Sequence, residues 1–260
     1  MHYAIVSDGC SSSEYSEIGA NILCHVAKDF LLSFYATNII TETSKGVLQD
    51  ILQYSIYKRA NEIRKMLHIP HDALNATLFM TFMIDNTYAN NTWVYGWGDG
   101  TIILNYGTLI EIIKYEYESG APFYLSYLSN ENYNTYKNKF GDKKIIRTIY
   151  SIPNDSVINI TTKTIKLDFS DFPSYLINQY SPSVNKETIK SVIISSDGLT
   201  SYIKNKDVVP TLTICHELLG YKRITGEFMK SNIVFMNKKH KKEFITHYDD
   251  MSVGIVLREK

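Results

Sequence analysis

Three apolar segments, far apart in the chain, each meet acids at one end: "AIVSDG" (Ala4 to Gly9), "VIISSDGL" (Val192 to Leu199) and "DDMSVGIVL" (Asp249 to Leu257). A single Asp-Gly is turn chemistry, because glycine accepts positive φ and aspartate hydrogen-bonds its own backbone. Three such strands are a stronger constraint. Runs this apolar must be buried, and buried strands of one core lie side by side. Their terminal carboxylates then repel one another unless a positive charge sits between them. A fourth acid, Asp99, lies between two glycines in "GWGDGTIIL" and is expected in a tight hairpin.

The donor chemistry indicates what that charge is. Hard oxygen ligands, without cysteine or histidine among them, favour Mg²⁺ or Mn²⁺ over Zn²⁺. A glycine beside an aspartate also exposes its backbone carbonyl as a further oxygen. The candidate donors are the strand-end carboxylates of Asp8, Asp197 and the Asp249-Asp250 pair, with the carbonyls of the adjoining glycines. Asp99 is either a ligand or simply a turn former. Asp250 reads as a hydrogen-bonding residue at the start of the last strand rather than as a ligand.

Periodicity supplies the framework. From Glu17 to Phe34 apolar residues fall at helical spacing through Ile18, Ile22, Leu23, Val26, Ala27, Phe30 and Leu31, and the serines at 11 to 13 are placed to cap that helix. A second amphipathic helix is expected from about Thr43 to Leu67, ended by Pro70. Each has one apolar stripe, so the two should lie antiparallel on a shared surface. Strands follow at Asn75 to Ile84, Asn91 to Gly98, Thr101 to Gly107 and Thr108 to Glu116, with turns at Asp85-Asn86 and at glycines 98, 100 and 107. From Ser119 to Asp155 the chain is polar, with weaker strand signals at "FYLSYL" and "KIIRTIYSI". Ser156 to Asp168 alternates as a strand. Helices are expected over Thr211 to Leu219 and Gly226 to Thr246, before the last strand. Helices, strands, helices and a closing strand make an α+β domain in layers, with residues 1–260 forming one domain.

Composition excludes several partners. The 27 basic and 27 acidic residues balance, which argues against a nucleic-acid groove or an anionic membrane surface. No apolar run approaches the roughly 20 residues of a membrane span. Cys10, Cys24 and Cys215 have no metal spacing and leave one unpaired, which fits a reduced, cytoplasmic setting. "YNTYKNKF" (Tyr133 to Phe140) interleaves basic and aromatic residues but reads as a solvated loop or helix face. The histidines lack ligand spacing.

In order and spacing, "IVSDG", "GWGDGTIIL", "VIISSDGL" and "DDMSVGIV" resemble the signature of the metal-dependent serine/threonine protein phosphatases of type 2C, and "DGCSSS" followed by Ile18-Gly19-Ala20 is similar to a bacterial branch of them. The resemblance runs from about Tyr3 to the end. It implies a four-layer α-β-β-α sandwich with a two-metal centre at one edge. Asp8 would bridge two Mg²⁺ or Mn²⁺ ions, the Gly9 carbonyl would bind one, and Asp197 and Asp249 would hold the other. The nucleophile would be a metal-bound water rather than a side chain, and the substrate a phosphoserine or phosphothreonine of a protein.

Departures from the pattern qualify these implications. Only seven residues precede Asp8, so the chain is expected to be slightly truncated and to lack the family's upstream arginine and glutamate. Cys10 stands where a histidine often follows Asp-Gly, and it is not read as a nucleophile. Ser201 stands where a carboxylate partner of Asp99 is usual, so a third ion would be weakly held. Glu14 and Glu17 are read as helix-dipole compensation rather than as replacements for the missing glutamate. A catalytically impaired module that binds a phosphorylated partner is therefore the competing reading, and hydrolysis of another phosphoester a third. Substrate identity and oligomeric state are left open.

Overall fold

The first long apolar stripe forms helix α1, Ser16–Ala36, and the second forms helix α2, Lys45–Met66. The chain is described by a computed structural model over residues 1–37, 45–85, 90–140, 145–153, 160–167, 189–220, 224 and 227–258. The residues at Asn86, Ser156 to Asn159, Asp168 and Gly226, to which turns, strand ends and a helix start were assigned from sequence, lie outside these ranges.

Both helix ends differ from expectation. Tyr15 precedes α1 at φ 57°, and no side chain caps the helix. Its serines are engaged elsewhere: the Ser13 amide donates to the Cys10 carbonyl at 2.9 Å, and Ser13 Oγ accepts from Asn75 Nδ2 at 3.2 Å. Helix α2 stops before Pro70 can act. The His68 amide donates to the Lys65 carbonyl and the Ile69 amide to the Arg64 carbonyl, with His68 at φ 55°. This is a Schellman closure without its usual glycine.

Strands β1 (His2–Gly9), β2 (Ala76–Asp85) and β3 (Asn90–Trp97) form an antiparallel sheet in the order β1-β2-β3. The next strands are β4 (Gly100–Asn105), β5 (Leu109–Tyr117), β6 (Ile145–Pro153), β7 (Thr161–Leu167) and β8 (Ser191–Ser195). With the last strand, β12 (Val253–Leu257), they form a second antiparallel sheet, β12-β8-β4-β5-β6-β7. The Gly98-Asp99-Gly100 segment is thus not a hairpin within one sheet. It carries the chain from the first sheet to the second. A small sheet of β9 (Tyr202–Lys204), β10 (Asp207–Val208) and β11 (Ile245–His247), ordered β10-β9-β11, had no clear signal because its strands span only two or three residues.

Three apolar clusters hold these elements in place. Leu23, Val26, Ala27 and Leu31 of α1 and Leu48, Leu52 and Ile56 of α2 pack with Leu78, Met80 and Phe82 of β2 and with Trp93, Tyr95 and Trp97 of β3. Val6, Phe79, Met83 and Val94 meet Ile102, Leu104, Ile113, Val192, Ile194 and Val256, so this cluster joins the two sheets. On the other face of the second sheet, Ile103, Ile112 and Ile193 pack with helices α4 (Thr211–Leu219) and α5 (Phe228–Lys242), through Ile214, Leu218 and Met236 among others. Alternation along each strand sends successive side chains to opposite clusters, as Ile102 and Ile103 show. Ile18 departs from the stripe assigned to it and is 43% exposed.

In the middle of the chain the strand signal at "KIIRTIYSI" is β6 and "YNTYKNKF" lies on a helix, but one strand signal fails. "FYLSYL" contains a 3-10 turn at Leu125–Leu128 rather than a strand, and helix α3 follows at Asn130–Phe140. Phe123 and Tyr136 pack edge to face with ring centroids 5.2 Å apart. Helix α5 ends at Lys242, and Phe244 turns at φ 57° into β11, so Thr246 is in a strand rather than a helix. Among the described residues, no helix is long and apolar enough to cross a membrane.

Candidate metal centre

Strand register draws the acids to one end of both sheets. Asp8 pairs with Thr77, and Leu78 pairs with Trp97, so β1 ends beside the start of β2 and the end of β3. Asp99 follows Trp97 by two residues. In the second sheet Thr101 pairs with Ser195, and Ser195 pairs with Val253. Asp99 precedes Thr101, Asp197 follows Ser195, and Asp249 and Asp250 precede Val253. Segments spanning most of the chain therefore meet within a few residues of one strand level.

Hydroxyl side chains stitch that end together. Ser7 Oγ donates to the Thr77 carbonyl at 2.7 Å, and Ser252 Oγ donates to the Ser7 carbonyl at 3.2 Å. The Ser252 amide donates to Ser196 Oγ, and the Ser196 amide donates to the Ser252 carbonyl, each at 3.1 Å. Ser196 also hydrogen-bonds the Asp8 carboxylate. Thr77 Oγ1 reaches Asp99 Oδ1 at 3.5 Å, a long contact. The Gly198 carbonyl accepts from His247 Nε2 and from Ser201 Oγ, each at 2.8 Å. Ser201 therefore spends its hydroxyl on the backbone.

Two glycines are required by this geometry. Gly98 has φ 93°, and a Cβ there would lie 2.6 Å from Thr77 Oγ1. Gly198 has the Asp250 carbonyl oxygen where its Cβ would stand. It is the close approach of these backbones that sets Asp197 beside Asp249 and Asp250.

The electrostatics follow from crowding. Burial raises the Asp8 carboxyl above the ordinary carboxylate range; Asp249 and Asp250 raise it further, against hydrogen bonds from Ser196 and the Gly9 amide. Asp99 is raised by burial and by Asp249 and Asp8, while hydrogen bonds from its own amide and from Thr77 oppose the shift. Asp197 is affected most. Burial and the charges of Asp99, Asp249 and Asp8 push it to about 7.

Asp8, Asp99, Asp197 and Asp249 are thus one electrostatic unit, and the chemistry of that donor set fits a divalent cation. The side chains are near enough to perturb one another. Yet among the described residues no three His, Cys, Asp or Glu close to metal-holding geometry. Asp249 is exposed, and its Oδ1 accepts the Asp250 amide at 2.9 Å. Glu14 and Glu17 are exposed on the surface. Cys10 is half-buried and free, with its sulfur 3.1 Å from Ser12 Oγ. Burial would raise its thiol, but hydrogen bonds from Ser12, Tyr124 and Ser13 bring it below its ordinary value.

Ser196, Ser252, Thr77, His247 and Tyr124 were missed from sequence. Ser196 and Ser252 had a signal, since each lies within a motif that carries a candidate acid. The others had none, because a threonine, a histidine and a tyrosine spread over 170 positions are unremarkable until strand register brings them together.

The family model described as protein phosphatase 2C matches residues 1–233, and the chain belongs to that family. It is a family of protein phosphatases, as its description says. The match takes in Asp8, Asp99 and Asp197 and stops before Asp249. A comparison with curated proteins returns no match.

Proposed function

We propose that the chain is a metal-dependent phosphatase acting on phosphoserine or phosphothreonine of proteins, on one four-layer α-β-β-α domain spanning residues 1–260. The observation that carries this reading is the convergence of Asp8, Asp99, Asp197 and Asp249, each strand end adding unfavourable negative charge that a cation would relieve. Asp8, the Gly9 carbonyl, Asp197 and Asp249 would hold two Mg²⁺ or Mn²⁺ ions, with Asp99 toward a weaker third. When bound, such ions neutralise charge on a transferring phosphoryl group and acidify a coordinated water.

The chain's own groups prepare that role. Ser196 orients Asp8 by hydrogen bonding, and Ser252 ties the ends of β1 and β8 to the start of β12. Thr77 leans toward Asp99 from the neighbouring sheet. Near neutral pH the Asp197 carboxyl is poised to hold or release a proton. Cation binding favours its ionised form.

A second reading, a module that recognises phosphorylated partners without turnover, draws support from Cys10 and Ser201. Neither replaces the histidine or carboxylate expected at its position, and Ser201 is bonded to the Gly198 carbonyl. Release of phosphate from phosphoserine and phosphothreonine peptides, with Mn²⁺ and with a chelator, separates the two. Mn²⁺-dependent release supports the enzyme. Peptide binding without release supports the module.

A further inference from the structure

A cavity of ≈ 400 Å³ opens beside the acidic end of the sheets, and nothing in the proposed chemistry uses it. Its size is that of a ligand pocket. Its walls come mainly from the segment whose structure the sequence concealed. Tyr124, Tyr127, Tyr136 and Phe140 line it with aromatic rings. Tyr127 and Tyr136 lie 5.0 Å apart between centroids, Tyr136 and Phe140 4.9 Å. Tyr136 donates its hydroxyl to the Ala121 carbonyl at 2.6 Å, which fastens α3 to the loop that also lines the cavity. Lys139, on the exposed side of α3, brings an ammonium to the lining and sits 5.1 Å from the Phe140 ring.

The cavity lies near the acids: the charge of Asp99 acts on the hydroxyl of Tyr124 in its wall. Cys10 lines the cavity and follows Asp8 by two residues, so its Cα lies within about 7 Å of the Asp8 Cα along the chain. Tyr124, also in the wall, hydrogen-bonds the Cys10 thiol. A phosphorylated residue at the acids would thus send its neighbours in the peptide past or into this opening.

We propose that the cavity is a specificity subsite that receives an aromatic side chain of the substrate, within three residues of the phosphorylated one. The location of the phosphorylated residue rests on the phosphatase reading above. Aromatic rings present faces and edges for offset or edge-to-face packing, and a guest ring gains both burial and that geometry. Lys139, also in the lining, adds attraction for a carboxylate beside the guest.

The test uses the full chain with Mn²⁺ and phosphothreonine peptides carrying Trp or Ala at each of three positions on either side. Hydrolysis gives KM and kcat. Fluorescence anisotropy of the non-hydrolysable phosphonate versions gives Kd. At one position or more, Trp should tighten Kd by about tenfold over Ala, a difference of about 1.4 kcal/mol. Thr135 lines the cavity from the exposed face of α3, so Thr135→Trp should fill it without entering the core and bring the Trp-to-Ala ratio close to one. Tyr127→Ala, which removes a wall, should reduce the ratio as well. A ratio below twofold at every position overturns the subsite, as does a ratio that survives Thr135→Trp. Turnover without Trp preference refutes the subsite and leaves the phosphatase standing. Trp-selective binding without turnover refutes the phosphatase and leaves the subsite standing.

Discussion

Replacing Asp197 by asparagine should make the metal-free protein more stable at pH 8. The carboxyl moves from its ordinary 3.8 to about 7 on folding, because burial and the charges of Asp99, Asp249 and Asp8 disfavour ionisation. Below 3.8 both folded and unfolded chains hold the proton, and the group has no net effect. Between 3.8 and 7 the unfolded chain has lost the proton and the folded chain has kept it, so stability falls as pH rises through that window. At about 1.4 kcal/mol per tenfold change in proton affinity, the loss has a ceiling of about 4 kcal/mol. Asp197 is only half-buried, and solvent screening reduces this to about 2 kcal/mol. For a chain of this size that corresponds to a rise in melting temperature of roughly 4 to 8 °C. Asparagine keeps the shape and removes the charge. The assay is thermal or urea unfolding of wild type and Asp197→Asn in chelator at pH 4 and pH 8. The variant should gain at pH 8 and little at pH 4. With Mn²⁺ the order should reverse, since a bound ion stabilises only the chain that retains its ligand. A variant less stable than wild type at pH 8 in chelator would refute the account of mutual repulsion.

Other outcomes follow from individual contacts. Gly198→Ala sets a methyl on the Asp250 carbonyl, and should cost about 2 kcal/mol in urea unfolding while lowering Mn²⁺ affinity in calorimetry. Ser196→Ala removes the acceptor of the Ser252 amide and a donor to Asp8; it should cost about 1 to 2 kcal/mol. Asp8 would then hold its proton to higher pH, so the acidic limb of the rate profile should shift upward, as read from activity between pH 5 and 8. Removing divalent cations with a chelator should abolish hydrolysis of p-nitrophenyl phosphate, and Mn²⁺ should restore it.

Much of the fold was legible because burial writes itself into periodicity. The stripes of α1 and α2 and the apolar runs of β2, β4, β5 and β8 each carry a pattern longer than their uncertain ends. What failed was local or non-periodic. Helix ends closed by Tyr15, His68 and Phe244 in left-handed conformations have no glycine to announce them. Helix α3 has Tyr136 and Phe140 packing inward among polar residues, too sparse a stripe to distinguish from a solvated face. Gly98-Asp99-Gly100 looked like a hairpin because glycines mark a turn but not which sheet the next strand joins. The candidate acids were legible as ends of apolar strands. Their support was not: Ser196, Ser252 and Thr77 become partners only through register, which is set by the whole core.

The most direct test of the central claim is a crystal structure grown with Mn²⁺, with the ions located by their anomalous scattering. The account predicts two ions sharing Asp8, with oxygens of Asp8, Gly9, Asp197 and Asp249 at about 2.0 to 2.6 Å from them. An Mn²⁺-soaked crystal with no ion at Asp8, or with Asp197 and Asp249 turned away from the ion that Asp8 holds, would contradict it.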